Sequence, residues 1–450
     1  MTDTGIICLA PTLVVLVLAV ISRRTIEPLI AGSLVGLLIL APSDLLTNFT
    51  GVMLSVMGDE TIGWIIMVCG LMGSLIALLA SIGGAAAFGR LVAARVKTRG
   101  GALITAWLLG LAIFIDDYLN ALTISSSMKK VTDKFGVSRE MLAYVVDSTA
   151  APICVLVPLS TWAVYFAALL EENTGAGTGE GLLLYMEAIP YMFYAWAAVV
   201  IVPLVILRKI PHLGAMAKAE DENARKYRMR PVEEQSGLAD DADTGNRGRA
   251  GLNFFVPILS LIFFTWYLGI DILNGVIVAL SITIVSILVQ RLLPPPRIFD
   301  TMLEGFKSML LPLGTVVAGF MLKEVNDQLG LASYVIGTVE PIMTPLLLPL
   351  VTFVTMALIA FATGSFWGIF AVAMPIVIPL AVSVEADMAL VIGALISASA
   401  FGSHTCFYGD STVLSAHGSG CGVIEHALTQ LPYALLAAAV AALAFLVAAI

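Results

Sequence analysis

The chain reads as an all-α polytopic membrane protein made of two inverted repeats, each with three spans, a re-entrant hairpin, a broken helix and a final span. Three observations predict this. Of its 450 residues 59% are hydrophobic and 12% charged, and the mean hydropathy is +0.98, whereas soluble domains sit near about 45–50% apolar and about 25% charged. Apolar runs close to the roughly 20 residues that cross a bilayer recur along the whole chain. The runs that carry acids and hydroxyls in mid-stretch fall at matching positions in the two halves. The net charge of −9 says little about partners, because acids and bases are segregated by loop, and nothing points to nucleic acid.

Lys and Arg in short loops mark the cytoplasmic side. Ile6–Ile21 ends inside at Arg23 and Arg24, and the acidic start of the chain argues for a retained helix rather than a signal peptide. Leu29–Ala41 returns to an outer loop with Asp44, Asp59 and Glu60. Ile62–Ile82 comes back to Arg90, Arg95, Lys97 and Arg99. Ala102–Met128 is overlong, is broken at Asp116-Asp117, and has basic loops on both sides, so it reads as a hairpin entering from the cytoplasm. Met141–Leu170 crosses outward with an interruption at Asp147-Ser148-Thr149 and Pro152. The next loop carries Glu171, Glu172, Glu180 and Glu187, and Ile189–Leu207 returns inside. Arg208–Gly251 holds nine Lys/Arg and eight Asp/Glu with few apolar residues, and reads as a flexible cytoplasmic linker.

The second half repeats the plan. Phe254–Leu268, Ile272–Gln290 and Ser308–Leu322 are spans. Pro345–Ser383, broken at Thr363-Gly364-Ser365, is a hairpin opening to the outside. Asp387–Gly420 is interrupted between Phe401 and Ser415, and Leu428–Ala449 is the last span. Residues 1–207 and 252–450 are thus the two repeats, the first hairpin at about 102–128 and broken helix at about 141–170, the second at about 345–383 and about 387–420. An odd number of crossings per half inverts one half relative to the other and places both termini outside. Paired discontinuous helices in an inverted repeat point to a transporter with its site at the midplane.

Asp116, Asp117, Asp147 and Asp410 would each cost about 2.5–3.5 kcal/mol at the centre of a lipid-facing helix. Broken helices lower that cost, because unwound backbone can face a cavity or hold an ion. Asp116 or Asp117 alternatively caps a half-helix at the hairpin tip. Asp147-Ser148-Thr149 and Asp410-Ser411-Thr412 echo one another. With Asn120, Thr363, Ser365 and His404 they form a set of oxygen ligands and one titratable ring suited to a hard monovalent cation and to protons. Asp147 and Asp410 are the candidate sodium ligands. A carboxylate that takes either a proton or a cation, exposed alternately to the two sides, is an antiporter, and no cofactor is required. His417 and His426 read as structural or interfacial, and Lys323 and Asp327 as an i,i+4 pair. Cys8, Cys69, Cys154, Cys406 and Cys421 lack metal or CxxC spacing and read as small buried hydrophobes. No P-loop is present, so a nucleotide-driven pump is not indicated. An intramembrane aspartyl hydrolase using Asp147 and Asp410 would have no need of paired hairpins, so the chain does not read as an enzyme.

FIDDYLNALT, the stretch from Lys129 to Trp162, FATGSFWGIFAVAMPIVIPLA and FGSHTCFYGDSTVLSAHGSGC resemble the NhaC family of sodium/proton antiporters, within a superfamily of inverted-repeat ion transporters. The resemblance implies sodium-for-proton exchange and a homodimer; lithium as a further cargo and a place in the plasma (inner) membrane belong to the same expectation. Some relatives exchange organic acids. The chain departs from the family where Gly402-Ser403-His404-Thr405-Cys406-Phe407 replaces Gly-Asp-His-Cys-Ser-Pro, and where Phe366-Trp367-Gly368-Ile369 replaces Ser-Trp-Gly-Thr. A sodium- or proton-coupled carrier of a small organic acid or amino acid is therefore the alternative.

Overall fold

The structure is a computed structural model that describes residues 5–22, 24, 26–83, 96–177, 179–229, 247–269, 271–331, 334, 338, 343–363, 366–407 and 409–450. These residues form α-helices and short 3-10 turns, with no strand among them. The helices are α1 (Ala10–Ser22), α2 (Ile26–Leu40), α3 (Leu45–Met57), α4 (Glu60–Ser81), α5 (Arg99–Ala112), α6 (Asp117–Lys134), α7 (Arg139–Asp147), α8 (Ala151–Leu156), α9 (Thr161–Thr174), α10 (Glu180–Ala188) and α11 (Phe193–Ile206). After them come α12 (Gly214–Met229), α13 (Arg247–Tyr267), α14 (Ile272–Gln290), α15 (Pro295–Ser308), α16 (Leu310–Leu329), α17 (Leu348–Thr363), α18 (Phe366–Ser383), α19 (Met388–Thr405), α20 (Asp410–Ser419) and α21 (Val423–Ala448).

Among the described residues, α4 from Ile62, α14, α19 and α21 are each long and apolar enough to cross a membrane. Two bent pairs bring the number to six: Arg139–Leu156 with Thr161–Thr174, bent by 40°, and Glu180–Tyr191 with Phe193–Ile206, bent by 50°. The other apolar stretches are cut into shorter helices such as α2, α5 and Leu348–Phe361. The cuts have local causes. Pro152 has no N–H to donate to Ser148 one turn earlier, and the backbone tightens there into i→i−3 bonds from Thr149 to Val146 and from Ala150 to Asp147. Ser160 then caps α9 by accepting from Ala163 N.

Helices from the two ends of the chain interleave. α2 packs on α16, α4 on α15 and α14, and α20 on α6 and α7. At the crossing of α4 and α15 the backbones touch: a Cβ on Gly73 would lie 2.4 Å from the Gly305 carbonyl oxygen, and one on Gly305 2.3 Å from that of Gly73. The centre of the molecule is α19, where every residue from Leu390 to Thr405 is buried. Around it stand α7 to α9, buried continuously over Met141–Asp147, Ala151–Leu156 and Thr161–Glu171.

Three stretches depart from the sequence reading. The outer loop after Ala41 contains α3, and the acidic loop after Leu170 contains α10. The charged segment read as a flexible linker contains α12, whose polar side chains have fixed partners. Glu220 accepts from Ser138 N and Oγ and pairs with Arg99, while Asn223 donates to Gly136 O and Tyr227 to Lys134 O. The other end of α12 is anchored where Leu213 N donates to Tyr433 Oη. A low apolar fraction misled because α12 docks through hydrogen bonds, the buried Glu220 among them, and one buried apolar residue, Met216. Residues 230–246 lie outside the described residues.

Candidate functional site

The site forms where α7 and α19 end and α20 and α21 arrive. Asp147 is the last residue of α7 and is fully buried. Its Oδ2 accepts from Gln430 Nε2 at 2.7 Å and Thr412 Oγ1 at 3.4 Å, and lies 3.2 Å from His426 Nε2. The Gln430 amide also donates to the carbonyl of His404 in the last turn of α19. Both of its partners are acceptors, which fixes its orientation and turns Oε1 the other way. Asp147 Oδ1 and Gln430 Oε1 are buried without a hydrogen-bond donor among the described residues.

His404 is held from both sides, its Nε2 2.9 Å from Ser148 Oγ and its Nδ1 2.7 Å from Tyr194 Oη on α11. The ring tautomer sets which hydroxyl donates. Ser411 donates to the Ser403 carbonyl at 3.1 Å, Thr412 shares its one proton between that carbonyl and Asp147, each at 3.4 Å, and the hydroxyls of Ser403 and Ser411 lie 3.1 Å apart. These bonds close the break between α19 and α20 at Cys406–Gly409, narrower than the Phe401–Ser415 interruption expected from sequence. The carbonyl ends of α7 and α19 both point into this cluster, and helix C-termini carry partial negative charge. Two fully buried acceptors, Asp147 Oδ1 and Gln430 Oε1, thus face no donor among the described residues.

The first-half break sits beside it. Asn120 Nδ2 lies 2.9 Å from Gly110 O, 2.8 Å from Ile113 O and 2.9 Å from Thr149 O. The first two bonds fold α6 back on α5, and the third ties that turn to the break after Asp147. Gly110 allows the approach, since a Cβ there would lie 2.1 Å from Thr149 Oγ1. Thr149 itself back-bonds to Val145 O at 2.9 Å. Asp116 caps α6, its Oδ1 accepting from Leu119 N at 2.9 Å and its Oδ2 from Thr161 Oγ1 at 3.3 Å. Asp117 is buried in the first turn of α6.

The structure therefore brings Asp147, Ser148, His404, Ser411 and Thr412 into one cluster, with Thr149 and Asn120 joined to it and Asp116 occupied as a cap. The side chains of Thr363 and Asp410, and the whole of Ser365, lie outside the described residues, as do those of Phe366, Trp367 and Ile369. Asp410 is placed only as the first residue of α20.

The profile of the Na+/H+ antiporter family matches residues 181–450, more than half of the chain. The chain belongs to the Na+/H+ antiporter family. It is a multi-pass membrane protein of a transporter family. An uncharacterized protein of Haemophilus influenzae is 28% identical, over 98% of this chain and 90% of its own length. Two solved transporters share the fold. The YdaH transporter of Alcanivorax borkumensis superposes with a TM-score of 0.55 at 12% identity, covering 90% of this chain and 89% of its own. MtrF of Neisseria gonorrhoeae, described as one of a class of antimetabolite efflux pumps, superposes with 0.51 at 15% identity, covering 91% and 85%.

In this family member the sequence reading missed three residues. His426, read as structural or interfacial, is fully buried against Asp147. Gln430 and Tyr194 were not singled out. The sequence reading begins the last span at Leu428, beyond Glu425 and His426, whereas α21 begins at Val423. That start left His426 outside the span and hid its spacing of one turn from Gln430, a polar pair on one face of a membrane helix. Lys323 does meet Asp327 at 3.1 Å, and it also meets Glu172 of α9 at 2.8 Å.

Proposed function

We propose that the protein is a secondary antiporter that exchanges sodium, with lithium as a second cargo, for protons at Asp147. The observation that carries this reading is the fully buried Asp147. One of its oxygens is held by Gln430, His426 and Thr412, and the other, with Gln430 Oε1, faces no donor among the described residues. A buried carboxylate is costly unless it is protonated or paired with a cation. Oxygen acceptors at two helix carbonyl ends suit a hard monovalent ion. Competition between proton and sodium for Asp147 couples the two flows without a second device.

Asp116 serves this site as the cap that shapes the adjoining turn, and Asn120 as the tie between the two breaks. Ser148 and Tyr194 orient His404. Asp410 opens α20 beside Thr412 and is the candidate second carboxylate. The two halves are read as inverted repeats, the face bearing α12 as cytoplasmic, both termini as external, and the assembly as a homodimer in the inner membrane.

In proteoliposomes holding an imposed pH gradient, sodium addition should dissipate the gradient, and Asp147→Asn should abolish the response. Gradients insensitive to sodium in a folded preparation would overturn the reading. A small organic acid or amino acid that raises thermal stability where sodium does not would replace it with a coupled carrier.

A further inference from the structure

α20 lies antiparallel to α7, and the contacts at both ends are explicit. Thr412 reaches Asp147 at one end, and Arg139 Nη1 donates to Gly420 O at 3.1 Å at the other. Eight residues separate the two contacts on each helix, about 12 Å of helix. Ser415 and Ser419 follow Thr412 at i+3 and i+7, so all three share the face that Thr412 turns toward α7. On α7 the matching stripe is Asp147, Ala143 and Glu140, at i, i−4 and i−7.

Ser415 and Ser419 are both fully buried, and neither Oγ has a hydrogen-bond partner among the described residues. Buried helical hydroxyls such as Ser125, Thr405 and Ser33 return to the carbonyl one turn back, at 2.6, 2.6 and 2.9 Å. Ser127 and Thr265 share the unpartnered state, but among the described residues only Ser415 and Ser419 repeat it along one face of one helix. Apolar packing would favour alanine at two positions where a hydroxyl is desolvated without return. The two hydroxyls stand in line between the Asp147 cluster and the face where Arg139 meets Gly420, with the small Ala143 on the matching stripe of α7 and Glu140 beside Arg139 in its first turn.

We propose that the Ser415–Ser419 stripe of α20 is the route by which a small hydrated cation passes between Asp147 and the face carrying Arg139 and Gly420. The hydroxyls replace water ligands in steps along the path, and at its mouth Glu140 offsets the charge of Arg139 and of Lys129, whose Nζ lies beside Gly420. That the cation is sodium rests on the function proposed above; the route itself does not.

The test uses the full chain with its native cysteines replaced and a single cysteine at Ser415, Ser419 or the exposed His417. Silver ion, a monovalent cation that captures thiols, is the probe. Ser419→Cys and Ser415→Cys should both react, the former faster, and sodium should slow Ser415→Cys. The His417→Cys control lies on another face of α20 and should react independently of sodium. In parallel, Ser415→Ala/Ser419→Ala should slow exchange about fivefold or more while its melting temperature stays level or rises. Silent thiols beside a reactive His417→Cys, or an alanine pair exchanging at the native rate, would overturn the route. Silver capture needs no sodium transport, so Ser415→Cys and Ser419→Cys variants that react with silver, beside a wild type that does not exchange sodium, would refute the cargo and leave the route standing.

Discussion

Gln430 and Asp147, 283 residues apart, share a 2.7 Å hydrogen bond, and the same amide nitrogen reaches the carbonyl of His404. One side chain from the last helix thus joins the broken helix of the first half to that of the second. Any rearrangement that separates α7 from α19 must break at least one of these bonds. Gln430 is therefore a sensor of the relative position of the two breaks as well as a partner of the carboxylate.

Replacing Gln430 by leucine keeps the volume and removes both bonds. A buried carboxylate that loses a donor costs about 1–3 kcal/mol, a factor of roughly 5 to 150 in any equilibrium that depends on it. Gln430→Leu should reduce sodium-dependent proton exchange by about tenfold or more. Gln430→Glu should do at least as much harm, since it sets a second acid against Asp147. Both can be read from pH-gradient dissipation in proteoliposomes. Native rates in Gln430→Leu would show that the bond does not serve transport.

Asn120 makes a different kind of contribution. Its amide satisfies carbonyls at the turn between α5 and α6 and at the break after Asp147. Asn120→Asp would set an acceptor against three acceptors, and Asn120→Leu would leave the carbonyls bare. Each should cost about 2–4 kcal/mol of stability and lower the melting temperature of the purified protein. Asn120→Asp should be the worse of the two at neutral pH and should recover on acidification, when its carboxyl regains a proton to donate.

How far the sequence carries is visible in these residues. Asp147-Ser148-Thr149 and Asp116-Asp117 stood out because charge inside an apolar run has few cheap explanations. Asn120 stood out as an uncharged polar side chain in the same apolar run. His426 and Gln430 did not, because α21 is an unbroken helix with only Pro432 inside it, and nothing in its backbone advertises a site. Their role depends on which way α21 faces, a property of packing rather than of composition. α12 was lost for the opposite reason: its charged sequence hides side chains whose partners lie on the α6–α7 turn and on Arg99, far away in the chain.

The crossing of α4 and α15 gives a purely structural prediction. Ser74 Oγ donates to Met302 O at 2.8 Å across it, and the Gly73 and Gly305 backbones leave no room for a Cβ. Small residues let membrane helices approach this closely. Gly305→Ala should lower the melting temperature, and Gly305→Leu should prevent recovery of folded protein. Ser74→Ala should cost only about 1 kcal/mol, because it removes one bond and leaves the approach intact. A Gly305→Leu protein with native melting behaviour would show that the two helices are not held in this contact.

The docking of α12 should depend on pH, and the sign follows from His212. This ring lies in the connection between α11 and α12, in a cleft of about 520 Å³ lined also by Arg99, Arg208, Glu220, Asp221 and Tyr227. Burial, and then the Arg208 and Arg99 guanidiniums, hold its pKa below the usual 6.5, partly opposed by Glu220 and Asp221. The docked state therefore binds fewer protons than the undocked one. Its advantage is complete above 6.5, the pKa the ring regains once undocked, and is lost as pH falls from there toward the docked value. Amide hydrogen exchange, corrected for its intrinsic pH dependence, should show weaker protection of residues 135–138 and of α12 at about pH 5.5 than at about pH 7.5. His212→Gln should flatten that difference. Glu220→Gln should weaken docking at both pH values, because Ser138 and Arg99 lose their shared carboxylate. Protection that is unchanged by acid in the native protein would mean that His212 does not report on α12, and that the cleft holds its shape whatever the charge on the ring.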